Sequence, residues 1–272
     1  MQGKNLLCSK KRLGESKINI ILNEQNYVED LLNQPALSKK TYQDLSLIAK
    51  YLYHNKALKA DQIYTELVNI MEDKYPNFII SKWQNSLLKI SRDANKKNLF
   101  VIDYIPVTQN ELDTINSIYS KPIKRVAFAI LCLAKYKNAV NPDNNNWINY
   151  EFKDIFRVSN VTATVKEQCN MINEMKNSGL VKMNNLVNNL SLNISYIDQS
   201  DSNTILKIYD FRNLGYEYLL YCGDKFIRCD RCNILTRKRG KTDKYCKSCS
   251  IISEKEKTNS RVKKHREKCN VS

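Results

Sequence analysis

Cys229-Asp-Arg-Cys232 and Cys246-Lys-Ser-Cys249 determine how the last part of this sequence folds. Thirteen residues separate the two pairs, which is enough for a hairpin that turns at Arg239-Gly240-Lys241. The segment is too short and too polar to form its own apolar core, so a bound metal ion would stabilise it. Four thiolates are the tetrahedral ligand set of a structural zinc site. We therefore predict one Zn²⁺ ion bound by Cys229, Cys232, Cys246 and Cys249.

The alternative interpretation of these cysteines is two redox motifs. A thioredoxin-like motif lies at a strand-to-helix junction within a βαβ unit, and the pattern around these pairs shows no such unit. The sequence has nine cysteines and no apolar segment typical of a signal peptide or a membrane span. We expect a protein of the bacterial cytoplasm, without membrane contact, whose cysteines are thiols or metal ligands.

Basic residues concentrate around and beyond the cysteines. The net charge is +16, and residues 229–272 contain 14 Lys and Arg against five Asp and Glu. Residues 251–268 contain no Gly or Pro and predict a helix that starts near Ser250 or Ser253. Such a surface attracts the phosphates of nucleic acid, although a solvated tail or a generally basic proteome remains the alternative. The predicted phosphate contacts are Arg237, Lys238, Arg239, Lys241, Lys244, Arg261, Lys263, Lys264 and Arg266.

The middle of the chain has the element order of a winged helix. A buried helix near 124–136 precedes a short strand at 147–149, a short helix and a turn at 158–161. A longer helix near 162–177 ends at Gly179, and two strands forming a wing follow it. Its predicted apolar stripe is Val165, Cys169, Ile172 and Met175.

The opposite face of that helix decides its partner. Glu167 and Glu174 lie there and would repel phosphates, so contact with protein is as plausible as contact with DNA. If the helix enters a DNA groove, we expect its N-terminal end to make the contacts, through Thr162, Thr164, Lys166 and Asn170.

The first third of the chain is predicted to be helical. Three apolar stripes at helical spacing are interpreted as core: Tyr42, Leu45, Ile48 and Leu52; Ile63, Leu67 and Ile70; Ile80, Trp83, Leu87 and Ile90. Residues 99–105 predict a strand, and Thr108-Gln-Asn-Glu111 is a capping box that begins a helix.

The fold class is therefore mainly α (α+β). Residues 1–98 form a helical region and 99–225 a winged-helix domain with a flanking strand and helix. Residues 226–250 form the zinc ribbon, and 251–272 a basic helical tail.

Several segments resemble uncharacterised proteins of phages and integrated elements of low-GC Gram-positive bacteria. They are Val107-Thr-Gln-Asn-Glu-Leu112, residues 126–136, Asp210-Phe-Arg-Asn-Leu-Gly-Tyr-Glu-Tyr218, and Tyr245-Cys-Lys-Ser-Cys249 with the basic helix after it. The resemblance covers the last two-thirds of the chain. It implies a phage or mobile-element context, and no catalytic residue carries over from it.

Two functions are compatible with these features. The first is a DNA-binding regulator or replication accessory that contacts double-stranded DNA. The second is a non-enzymatic factor that binds a host complex, such as a polymerase or a defence system. An enzyme is disfavoured, because only His54 and His265 are available and no phosphate-loop, dinucleotide or nucleophile-elbow motif occurs.

Overall fold

A computed structural model describes residues 18, 20–184, 191–198, 203–238, 240 and 242–269. The chain divides into two compact units. The first, the helical unit, is Ile21–Ile105, and the second contains the residues from Pro106 onward. Helices dominate both units and strands are short, so the mainly helical class is confirmed.

The helical unit contains four α-helices. They are α1 (Glu24–Leu32), α2 (Thr41–Lys56), α3 (Ala60–Lys74) and α4 (Ile80–Asp93). Most members of the three predicted stripes lie in one buried cluster. Tyr42 and Ile80, however, are each 48% exposed, and Trp83 is only partly buried. These residues lie in the first turns of α2 and α4, and the core begins about one turn further along each helix.

The second unit begins with a strand and a capped helix. Strand β1 (Ile105–Thr108) pairs with β5 (Thr204–Ile208), and α5 (Gln109–Ser117) follows it. The strand predicted at 99–105 does not form over that range: Val101 makes an isolated bridge with Asn23, and β1 begins only at Ile105. Pro106, which lacks an N–H group, is tolerated because this sheet has only two strands.

The predicted capping box is confirmed. The Glu111 amide donates to the Thr108 hydroxyl over 3.4 Å, and the Thr108 amide donates to the Glu111 carboxylate over 2.8 Å. Glu111 is fully buried, and its charge is balanced by the Lys135 ammonium 2.9 Å away.

The middle of the second unit is built on one buried helix. Helix α6 (Lys121–Val140) has a fully buried segment at residues 126–134. After it come β2 (Trp147–Ile148), α7 (Phe152–Val158), α8 (Val165–Asn177), β3 (Val181–Met183) and β4 (Leu192–Ile194). The three strands form an antiparallel sheet in the order β2-β4-β3.

The predicted apolar stripe of α8 is only half correct. Ile172 and Met175 are buried, as expected. Val165 is 76% exposed and Cys169 is also exposed, because only the C-terminal half of the helix is covered.

Helix α9 (Leu214–Tyr221) packs against α6, and its second residue, Gly215, lies against Ser159 at the C-terminal end of α7. A Cβ atom at Gly215 would lie 1.8 Å from the Ser159 carbonyl oxygen, far inside van der Waals contact. The chain then forms β6 (Phe226–Arg228), β7 (Leu235–Arg237) and α10 (Lys247–Cys269). Within the described part of the chain, no helix is both long and apolar enough to cross a membrane.

Candidate metal centre and basic helix

The first cysteine pair lies at the tip of a hairpin. Strands β6 and β7 are antiparallel, with Arg228 opposite Leu235. The Cys229 amide donates to the Ile234 carbonyl over 3.0 Å, and Asn233 makes the turn with a positive φ of 55°. The hairpin of β6 and β7 therefore turns at Cys229–Asn233. The turn predicted at Arg239-Gly240-Lys241 includes two residues, Arg239 and Lys241, that lie outside the described part of the chain.

The second cysteine pair begins the long helix. Helix α10 starts at Lys247, and the Ser250 amide donates to the Cys246 carbonyl over 2.9 Å. The predicted start near Ser250 or Ser253 was therefore too late. Cys246-Lys-Ser-Cys249 forms the entry and first turn, and the helix is continuous with the metal centre.

The four thiols converge on one point. Their sulfur atoms all lie within 4.8 Å of one another, and the Cys232 and Cys246 sulfurs are 3.7 Å apart. A tetrahedron with zinc–sulfur bonds of about 2.3 Å has sulfurs about 3.8 Å apart, so the spacing fits a metal ion. Cys229 and Cys249 are buried and the other two are half-buried. All four are free thiols, and together they could hold one metal ion.

The electrostatics of the cluster favour the thiolate form of Cys229. Burial raises the pKa of the Cys229 thiol, but backbone hydrogen bonds outweigh burial and lower it to about 6. Those N–H groups belong to Cys246, Arg231 and Cys232. Burial and neighbouring thiols raise the pKa of Cys249 to about 12. A bound divalent cation replaces the thiol protons, so all four sulfurs become ligands.

Hydrogen bonds hold the turn formed by the first cysteine pair, Cys229–Cys232 (the first knuckle), against the rest of the second unit. The Arg212 guanidinium binds the Asp210 carboxylate at 2.6 Å and donates to the Cys232 carbonyl at 2.9 Å. Arg228 in β6 pairs with Glu217 in α9 at 3.0 Å. The metal centre is therefore attached to the segment that precedes α9 and to α9 itself.

A second connection leads from the ribbon to the turn before α8. The Asn213 side chain donates to the Leu235 carbonyl of β7 and accepts from the Asn160 side chain, both over 2.8 Å. Asn160 lies between α7 and α8 with a positive φ of 56°, and its side chain also accepts from the Tyr216 amide. Asparagine suits this left-handed position.

The long helix is joined to the first knuckle by one ion pair. Arg231 lies inside the first CxxC pair, and its guanidinium makes two hydrogen bonds of 2.8 Å to Glu256 of α10. Every described side chain of α10 from Glu254 onward is exposed. The helix thus leaves the metal centre with solvent on all its described faces.

Most predicted phosphate contacts lie on the surface. Those with described side chains are all exposed: Arg237, Lys238, Lys244, Arg261, Lys263 and Arg266. Arg239 and Lys241 lie outside the described residues. Lys264 lies within α10, but its side chain is outside the described part.

The four predicted contacts at the start of α8 are also exposed: Thr162, Thr164, Lys166 and Asn170. Thr164 is the N-cap residue, and the Glu167 carboxylate accepts from its amide over 2.7 Å. Hydrogen bonds from the Thr164 amide and hydroxyl lower the pKa of Glu167. One of the two acidic groups predicted to repel phosphate is thus used to cap the helix.

Comparisons with protein-family models, curated proteins and solved structures find no match to this chain. Sequence reasoning missed the supporting residues Arg212, Asn213, Arg231 and Glu256. The only signal for Arg212 and Asn213 was that they lie in Asp210–Tyr218, a segment of the family resemblance. Nothing in the residue spacing indicated the Arg231–Glu256 pair.

Proposed function

We propose that this chain is a zinc-dependent DNA-binding protein of the phage or mobile-element type, acting as a transcriptional regulator or replication accessory. The observation that carries the proposal is the continuity of the four-cysteine cluster with an exposed basic helix. Cys246 immediately precedes α10 and Cys249 lies in its first turn. A metal ion at the cluster therefore sets the direction in which Arg261, Lys263 and Arg266 are presented to a phosphate backbone.

Zinc is the metal we propose, because four sulfur ligands without an oxygen or nitrogen donor suit a tetrahedral structural site. When bound, the ion supplies cross-linking and no chemistry, since all four coordination positions are filled by protein. Arg212 binds the first knuckle to the segment before α9, and Arg231 binds the first knuckle to α10.

The middle of the second unit supports a winged-helix interpretation. Its helix, strand, helix, helix, strand, strand order and its β2-β4-β3 sheet have the arrangement expected for that motif. In this proposal α8 enters the major groove, and its exposed N-terminal end reads DNA through the four predicted contacts.

A second candidate function is a protein-interaction factor that modulates a host complex. The observation that favours it is the composition of the uncovered half of α8. Val165 and Cys169 are exposed there, and Glu167 and Glu174 lie on the same helix. An apolar and acidic surface suits a protein partner better than it suits phosphates.

The salt dependence of duplex binding tests the first proposal. We expect log K to fall with log salt, and the triple variant R261A/K263A/R266A to reduce the slope by about 2–3, or about 0.9 per lost phosphate contact. The control is K56A/K89A/K97A, which removes three exposed lysines from the helical unit and leaves the slope unchanged. If the full chain shows no salt-dependent affinity for duplex DNA, the proposal is wrong.

The two functions respond differently to Val165→Asp. If α8 binds protein, this variant loses its affinity for the host complex and keeps its affinity for DNA. If α8 enters a groove, it loses sequence preference on DNA.

A further inference from the structure

The helical unit carries a groove that the proposed function does not use. We define the basic-aromatic groove by Lys39, Lys40, Tyr42, Tyr75 and Trp83, which line a cavity of about 460 Å³. We propose that the basic-aromatic groove binds single-stranded nucleic acid, with bases stacked on its rings and phosphates against its lysines.

The aromatic rings are held in place and partly open to solvent. Tyr75 and Trp83 meet edge to face, with ring centroids 5.4 Å apart. Tyr42 is 48% exposed, although helical spacing places it on the same stripe as the buried Leu45. Three rings at one groove give bases flat apolar surfaces on which to stack, whatever their sequence.

The two lysines lie on a turn with fixed geometry. The Ser38 amide donates to the Asp44 carboxylate over 2.8 Å, and the Lys40 amide donates to the Ser38 hydroxyl over 3.1 Å. Asp44 is almost fully buried and also accepts from the Tyr27 hydroxyl over 3.0 Å. Its carboxylate therefore holds the turn, while the neighbouring lysine side chains are exposed.

The charges around the groove limit the path of a bound strand. Glu72, Asp73 and Lys74 line an adjoining cavity of about 480 Å³ on which Tyr75 also borders. Lys74 lies 3.6 Å from the Asp73 carboxylate, so the carboxylates outnumber the lysine on that side. Phosphates avoid that side and favour the side with Lys39 and Lys40. The groove thus has a basic end and an acidic neighbour, with aromatic rings between them.

This combination selects among possible partners. A duplex keeps its base faces stacked inside, so it offers phosphates but nothing to the rings. An acidic peptide satisfies the lysines but uses the rings poorly. Single-stranded DNA or RNA satisfies both features. The inference does not rest on the proposed duplex binding, which uses residues of the second unit.

Tryptophan fluorescence tests the proposal in the full chain. The sequence has two tryptophans, so Trp147→Phe leaves Trp83 as the single reporter. We expect oligo-dT or oligo-U to quench this fluorescence in W147F, because a base stacks beside the ring. In W83F, which keeps only Trp147, we expect no quenching.

Substitutions at the groove identify the binding groups. K39E/K40E in the W147F background should weaken the quenching affinity by about tenfold or more. K56E/K89E reverses two exposed lysines of the same unit and should leave that affinity unchanged. Tyr42→Ala should weaken binding by about tenfold, and Tyr42→Phe should restore it, because stacking needs the ring and not the hydroxyl.

The outcomes separate the alternatives. Quenching by both oligonucleotides, or by one of them, supports the proposal and shows whether the sugar matters. Absence of quenching with both at low salt overturns it, as does quenching that K39E/K40E leaves unchanged. Stronger binding of an oligo-glutamate peptide would assign the groove to acidic protein segments instead. R261A/K263A/R266A should leave the quenching intact, so failure here is distinguishable from failure of duplex binding.

Discussion

The substitution Asn213→Ala tests whether the ribbon stabilises the turn before α8. It removes two hydrogen bonds of 2.8 Å, one to the Leu235 carbonyl and one from the Asn160 side chain. Each is worth about 1 kcal/mol, and the partly buried partners left without their bonds add to that cost. We expect the second unit to lose about 2–3 kcal/mol of its free energy of unfolding.

Urea unfolding of the metal-loaded protein measures this loss. In a W83F background, Trp147 of β2 reports on the second unit alone. With a slope of about 2 kcal/mol per molar urea, the midpoint should fall by about 1 M. Asn173→Ala is the control, since Asn173 is an exposed residue of α8.

The result that would refute this reasoning is a shift no larger than that of the control. The two bonds would then not couple the ribbon to the turn. A double-mutant cycle with Asn160→Gly adds a second criterion. Because Asn160 and Asn213 share one bond, their effects should sum to more than the effect of the double variant.

Three further predictions concern packing, thiol access and the helix attachment. Gly215→Ala should destabilise the second unit by at least about 3 kcal/mol in thermal melts, because the Ser159 carbonyl is backbone and cannot move aside easily. Melting within about 1 kcal/mol of the wild type would contradict the close approach. Exposed Cys169 should react with a maleimide in the native protein, whereas buried Cys132 should react only after unfolding, as peptide mass spectrometry can show. Glu256→Ala should increase amide hydrogen exchange in the first half of α10, and high salt should produce the same increase in the wild type; equal exchange in both proteins would show that the ion pair does not hold the helix.

Local patterns were the most predictable part of the structure. The spacing of the four cysteines indicated their convergence, because each short CxxC turn places its two thiols on the same side. The Thr108–Glu111 capping box depended on residues three positions apart and was confirmed. The buried segment 126–134 was clear because apolar residues fill all sides of that helix.

Features that depend on where the core ends were not predictable. Tyr42 and Val165 have helical spacing relative to buried residues, yet both are exposed, because no element in the described part of the chain covers the first turns of α2 and α8. Periodicity gives the face of a helix and not the length of it that is covered.

The start of α10 was missed for a different reason. Ser250 and Ser253 are good N-cap residues by type, but the helix begins directly after Cys246, because the second CxxC pair is itself helical. Long-range pairs such as Arg231 with Glu256 leave no trace in spacing at all.

The metal content of the purified full-length chain tests the central claim most directly. Elemental analysis should find one zinc per chain, and none in the double variant Cys229→Ser/Cys249→Ser, which removes one ligand from each pair. In the same variant, amide exchange along α10 should rise, because the metal no longer fixes the start of the helix. A chain without metal, a chain that contains iron, or zinc retained in the double variant would contradict the account.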